Sequence, residues 1–191
     1  MEKLPQIING FLPTDIAVTA AKIVPEHFNP RFDPISKTYA YNIYSAKVPN
    51  PLLRRYSAFV PQALDFDAMK KAAGYFVGRH DFAAFMATGS SAKTTVREVF
   101  SCGIEKQPSG VITLAITGGG FLYNMVRIIA GTVVYIGMGK ISPEDVPGII
   151  QSRDRTKAGK TMPPEGLTLV EVQFDADCAD LRGLARMKTL F

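Results

Sequence analysis

The sequence predicts an α+β domain, a mostly antiparallel sheet with helices packed on one face. Three observations carry that reading. Residues 37–46, KTYAYNIYSA, alternate, so that Tyr39, Tyr41 and Ile43 face one way and Ala40, Asn42 and Tyr44 the other. VREVFSCGIEK and GVITLAITG flank Gln107-Pro108-Ser109-Gly110, the pattern of two strands joined by a tight turn. Residues 64–78, 121–136 and 142–152 show helical spacing or helix-start signals between and after these strands.

In chain order, residues 2–13 predict a short helix, with Leu4, Ile7, Ile8 and Phe11 at helical spacing and Pro13 as its stop. Residues 15–24 are a strand candidate. Three prolines make residues 25–36 an extended loop. Asp65 is the expected N-cap of the helix in 64–78, and Gly78 its expected stop. RHDFAAF follows as a short turn or helix, and residues 86–95 as a polar loop. Ser142, Pro143 and the acids Glu144 and Asp145 open the next helix, which runs to about Ser152. Residues 153–166 form a basic loop rich in Pro and Gly, 167–174 a final strand, and 175–191 a C-terminal helix or tail.

The 191 residues suffice for a sizeable core, and a net charge of +5 permits a polyanionic partner without requiring one. Cys102 and Cys178 form no CxxC pattern, and with two histidines a zinc site is not expected. Reduced thiols suit a cytoplasmic setting. The first twenty residues lack a basic start followed by an apolar block, so no secretory leader is expected. The run from Phe121 to Ile136 is shorter than the ~20 residues needed to span a bilayer. Arg127 sits at its centre, so a buried core helix is predicted rather than a membrane span.

No GxSxG, P-loop, HExxH or EF-hand pattern is present. The glycines Gly118, Gly119 and Gly120 read as close backbone approach at a strand-to-helix turn. Arg127 has two readings from physics alone: a structural arginine whose stem packs while its head reaches solvent, or a guanidinium held against a working carboxylate. From Gly118 to Lys140 there is no Asp or Glu to pair with it. Tyr39 is either a core tyrosine or a stacking surface beside basic residues. Arg31, Lys37, Lys47, Arg54, Arg55, Arg79, Lys93 and Arg97 add positive charge in or near loops, which makes nucleic acid the favoured polyanion.

Five blocks then resemble the TruA family of tRNA pseudouridine synthases: FNPRF (28–32), KTYAY (37–41), GRHDFAAF (78–85), GGGFLYNMVRIIAGTVVYIGMGKISPED (118–145) and RDRTKAGKTMPPEGLTLVEVQF (153–174). The resemblance assigns residues 1–174 to the catalytic fold of that family. It implies isomerisation of uridine to pseudouridine in the anticodon arm of tRNA, by detaching a flipped base, rotating it and rejoining it through carbon. No cofactor or metal is implied. Tyr39 would pack against the base and assist the closing proton removal, and Arg127 would pair with the catalytic carboxylate. Phe28, Asn29, Pro30, Arg31 and Phe32 would line the RNA path. Ala87, Thr88, Gly89, Ser90 and Ser91 match a tRNA-contacting segment, with Lys47 and Lys93 adding phosphate contacts. The implied assembly is a cytoplasmic homodimer sharing one tRNA, with no membrane partner.

The family's nucleophilic aspartate lies in an Arg-Thr-Asp-Ala-Gly-Val-His-type motif N-terminal to these blocks. No such motif occurs in the 191 residues, and Asp15, Asp33, Asp65 and Asp81 lie in other blocks. The expectation is therefore a C-terminal portion of the fold that is inactive alone. The alternatives are a non-catalytic tRNA-binding or dimerisation module that keeps the fold, and an unrelated interaction domain.

Overall fold

The computed structural model describes residues 3–174. A six-stranded sheet forms its centre, in the order β2-β1-β5-β4-β3, with β6 added to β1. The elements are α1 (Leu4–Asn9), β1 (Pro34–Ser45), β2 (Ala58–Val60), α2 (Phe66–Gly74), β3 (Gly78–Asp81), β4 (Val96–Lys106), β5 (Val111–Gly118), α3 (Met125–Gly137), α4 (Val146–Ser152) and β6 (Leu167–Phe174). The fold is α+β, and every pairing is antiparallel except β1 with β2. One edge of the long β1 is given wholly to β5. The other is shared end to end, with β6 on Pro34–Tyr41 and β2 on Ile43–Ser45.

The alternation in β1 sets the layers. Tyr41 and Ile43 are fully buried, opposite Leu114 and Ile112 of β5, and Leu114 in turn lies opposite Ile104 of β4. That face meets α3, an almost wholly buried helix carrying Ile128, Ile129, Val133 and Ile136. α2 packs beside it through Met69, Ala72 and Ala73, capped at its start by the Asp65 carboxylate, which accepts from the Ala68 N–H at 3.0 Å. The opposite face is polar and partly open, with Thr38 bonded to Thr117 and Asn42 to Thr113.

Four expectations need correction. Residues 15–24 do not form a strand. The segment meets no partner ladder, Ile16 and Ile23 are exposed, and it is tied through Asn9, whose side-chain amide exchanges two hydrogen bonds with the backbone of Val18. α2 stops at Gly74, four residues before Gly78. Gly78 instead opens β3 at φ +113°, a left-handed conformation that suits glycine. GRHD is strand rather than helix, and AAF a single 3₁₀ turn. Finally, β1 begins three residues early and β2 is an addition. The expected tail, 175–191, lies outside the described residues. Among the described residues no helix is long and apolar enough to cross a membrane.

Candidate active site

A cleft of about 660 Å³ opens where β1, the 86–95 loop and the turn from β5 into α3 converge. The turn is built by glycines. A Cβ on Gly118 would stand 2.6 Å from the Glu98 carbonyl oxygen, so the β5 end can lie against β4 only without a side chain. Gly119 and Gly120 continue as cleft wall. The 86–95 loop is tied to this turn by the Ala87 N–H, which donates to the Tyr123 carbonyl at 3.1 Å.

Arg127 enters the cleft from the first turn of α3, half-buried rather than sealed in the core. Its Nε donates to the Met162 carbonyl at 2.6 Å and its Nη1 to Asn124 Oδ1 at 2.9 Å. Both partners are neutral, so in place of the acid missing from residues 118–140 a main-chain carbonyl and an amide oxygen hold the guanidinium. Nη2 makes no hydrogen bond among the described residues. No buried side-chain nitrogen or oxygen there lacks a partner, so Nη2 is open to the cleft.

Arg127 is fixed from behind by the 153–166 loop. The Met162 N–H donates to the Arg127 carbonyl at 3.2 Å, reciprocating the Nε bond. Four residues further along α3, at Gly131, the chains touch backbone to backbone. Thr132 Oγ1 accepts from the Gly159 N–H at 2.8 Å, and a Cβ on Gly131 would lie 1.8 Å from the Lys160 carbonyl oxygen. The Tyr41 hydroxyl donates to the Pro163 carbonyl at 2.6 Å and so holds the residue after Met162. Burial is the main reason its phenol is pushed up, with Arg127 drawing it partly back and Glu165 adding to the rise.

Tyr39 stands on the same side of β1 and meets Phe121 edge-on, with ring centroids 5.2 Å apart. Burial raises its phenol above the ordinary range, so it is a neutral hydroxyl at pH 7. Arg31, Lys37 and Arg97 bring further positive charge to the rim. No Asp or Glu lines the cleft among the described residues.

A family profile described as tRNA pseudouridine synthase matches residues 72–175. The chain belongs to the tRNA pseudouridine synthase family. Three curated relatives, each named tRNA pseudouridine synthase A, show the extent of the likeness. That of Ruminiclostridium cellulolyticum is 45% identical over 91% of this chain and 71% of its own length. That of Caldicellulosiruptor bescii is 47% identical over 91% and 70%, and that of Geotalea uraniireducens 51% identical over 87% and 68%.

Of the residues to which the family resemblance assigned a role, Tyr39, Arg127, Arg31, Phe32, Gly89, Ser90 and Ser91 line this cleft. The others do not. Phe28 packs on Phe174, with ring centroids 5.1 Å apart. Asn29 and Pro30 belong to an exposed turn in which Asn29 Oδ1 accepts from the Arg31 N–H. Ala87 and Thr88 lead into the loop behind the lining residues, Lys93 is exposed beyond it, and Lys47 lies past the far end of β1. Sequence reasoning passed over Asn124, Phe121 and Met162. Asn124 carried a signal, being an Asn directly before a long apolar helix. Its φ of 59° is the left-handed conformation that Asn tolerates better than most residues.

Proposed function

We propose that this cleft receives a uridine of tRNA and handles the base during its isomerisation to pseudouridine. The observation that carries the reading is the composition of the wall. One neutral tyrosine is braced by Phe121, one arginine is held by neutral partners with Nη2 left open, and cations stand at the rim without a carboxylate among them. Such a wall suits a planar base flanked by phosphates.

In this proposal the Arg127 side chain is oriented before substrate arrives, because Met162 and Asn124 occupy Nε and Nη1. The free Nη2 is the donor for a carboxylate contributed from outside the described residues. A fixed donor awaiting a charge needs little reorganisation when that charge comes. Tyr39 offers its ring to the base and its hydroxyl to relay the proton that leaves the newly joined carbon. Its raised pKa makes the hydroxyl a relay rather than a resting phenolate. The finer expectations, a target in the anticodon arm, a homodimer and a cytoplasmic setting, rest on the family likeness.

The absence of a carboxylate from the cleft wall among the described residues also supports a second reading, a tRNA-binding module without turnover. Quantifying pseudouridine in unmodified tRNA separates the two. The chain alone is expected to form none. The same chain extended by a family segment bearing the Arg-Thr-Asp-Ala-Gly-Val-His-type motif is expected to form it, and to lose it on Arg127→Met. A folded, RNA-binding extended chain without turnover would favour the module.

A further inference from the structure

Asn124 occupies the position before α3 where an Asn side chain ordinarily caps the helix, yet it makes no cap bond. Its side chain faces the cleft instead, where Oδ1 accepts from Arg127 Nη1 at 2.9 Å. A guanidinium can only donate, so this contact settles which way the amide is turned. The oxygen is committed to Arg127, and Nδ2, with two N–H groups, is left. Nδ2 has no partner among the described residues and is not sealed from solvent, so it is presented to the cleft.

The other uncharged polar side chains of the wall are the hydroxyls of Tyr39, Ser90, Ser91 and Tyr123. A hydroxyl donates or accepts as required and does not discriminate. The Asn124 amide, locked by Arg127, only donates. Uracil presents a carbonyl oxygen at position 4, where cytosine presents an amino group that only donates. A fixed donor therefore matches uracil and meets cytosine donor to donor.

We propose that Asn124 is a specificity-determining residue that hydrogen-bonds the position-4 oxygen of the target uracil through Nδ2 and so disfavours cytosine. This rests on the reading of the cleft as a base pocket. The backbone narrows what else serves here, since Asn, Asp and Gly are the residues best suited to φ 59°. Of these three, Asn alone keeps Arg127 oriented while presenting a donor.

The test uses the full 191-residue chain and three RNA hairpins identical except for one loop position, which is uridine, cytidine or abasic. Affinities are read by fluorescence anisotropy at one fixed salt concentration. The unaltered chain is expected to bind the uridine hairpin about tenfold more tightly than the cytidine one, the discrimination of a single good hydrogen bond. Asn124→Asp keeps the left-handed backbone and an oxygen for Arg127 but turns a donor into an acceptor. It is expected to abolish or invert the uridine-to-cytidine ratio, while the affinity for the abasic hairpin shifts only by the general effect of one added negative charge. Asn124→Gly is expected to abolish the ratio with the melting temperature of the chain retained. A ratio near one in the unaltered chain, or a ratio that survives both substitutions, would overturn the proposal. Equal binding of the uridine and abasic hairpins would overturn the base-pocket reading itself, and the Asn124 proposal with it.

Discussion

Gly131→Ala is a sharp perturbation because two opposing effects of known size meet at one atom. In an isolated helix the exchange would stabilise α3 by about 1 kcal/mol. In the folded chain the added methyl would stand 1.8 Å from the Lys160 carbonyl oxygen and 3.0 Å from its carbon. Ordinary C···O contact lies near 3.3 Å, so the carbonyl must retreat by roughly 1.5 Å. Main chain on both sides of the contact leaves no side chain that can swing away. The loop retreats as a unit, and with it go the Gly159-to-Thr132 bond, the Met162-to-Arg127 bond and the Arg127 Nε bond to Met162. At about 1 kcal/mol each, these outweigh the helix gain by about 2 kcal/mol. For a domain of this size that lowers Tm by roughly 4–8 °C. Thermal melts followed by circular dichroism give the stability, and the exchange rate of the Arg127 Nε–H in NMR gives the position of the guanidinium. The account expects a lower Tm and faster Nε–H exchange together. A Gly131→Ala chain that melts at or above the parent with Nε–H exchange unchanged would refute the docking of the 153–166 loop on α3.

Arg127→Met leaves the Met162 carbonyl and the Asn124 amide without their donor, but water reaches both from the cleft. The expected cost is therefore about 1–2 kcal/mol in urea unfolding, and a gain in stability would contradict the two hydrogen bonds. Tyr39→Phe is expected to keep the fold and RNA affinity, since the hydroxyl has no partner among the described residues. Tyr39→Ala loses the edge-on contact with Phe121 and weakens RNA binding by roughly 1–3 kcal/mol, measured by anisotropy. Burial pushes the Cys102 thiol from its ordinary 9.0 up to about 12, so the folded chain holds it as a neutral thiol while the unfolded chain ionises first. Its contribution to stability is full below pH 9 and falls as pH rises toward 12. Iodoacetamide labelling at Cys102, mapped by mass spectrometry at pH 8, should be slow in buffer and fast in urea.

The parts of the fold that read correctly from sequence are those in which one local pattern and one tertiary environment agree. β1 alternates because Tyr41 and Ile43 face a helix layer and Ala40 and Asn42 do not. The turn at 107–110 and the Asp65 cap are local chemistry, complete within a few residues. Residues 15–24 show why such a pattern is insufficient. An apolar composition makes a segment fit to be a strand, but the partner ladder has to come from elsewhere, and none of the described strands offers one to residues 15–24. Gly78 misled for a related reason. A glycine near a helix end suggests a stop, whereas this one is required by the left-handed start of β3.

The candidate site divides the same way. Tyr39 and Arg127 stand out by type and position, and they share a cleft. What holds Arg127 was hidden, because its partners are a main-chain carbonyl 35 residues away and an amide whose role depends on its backbone conformation. A search of the sequence for a carboxylate passes over both. The glycines Gly131 and Gly159 were hidden too, since only the meeting of two backbones makes them necessary.

Hydrogen-exchange mass spectrometry of the 191-residue chain with and without unmodified tRNA tests the placement of the site most directly. The account predicts slowed exchange in residues 89–92, at the β5-to-α3 turn over 119–124 and in the first half of β1. Exchange in α2 and at the 107–110 turn should be unchanged. Protection confined to α2, the 107–110 turn or the open face of the sheet, with 89–92 and 119–124 exchanging as in the free chain, would contradict it.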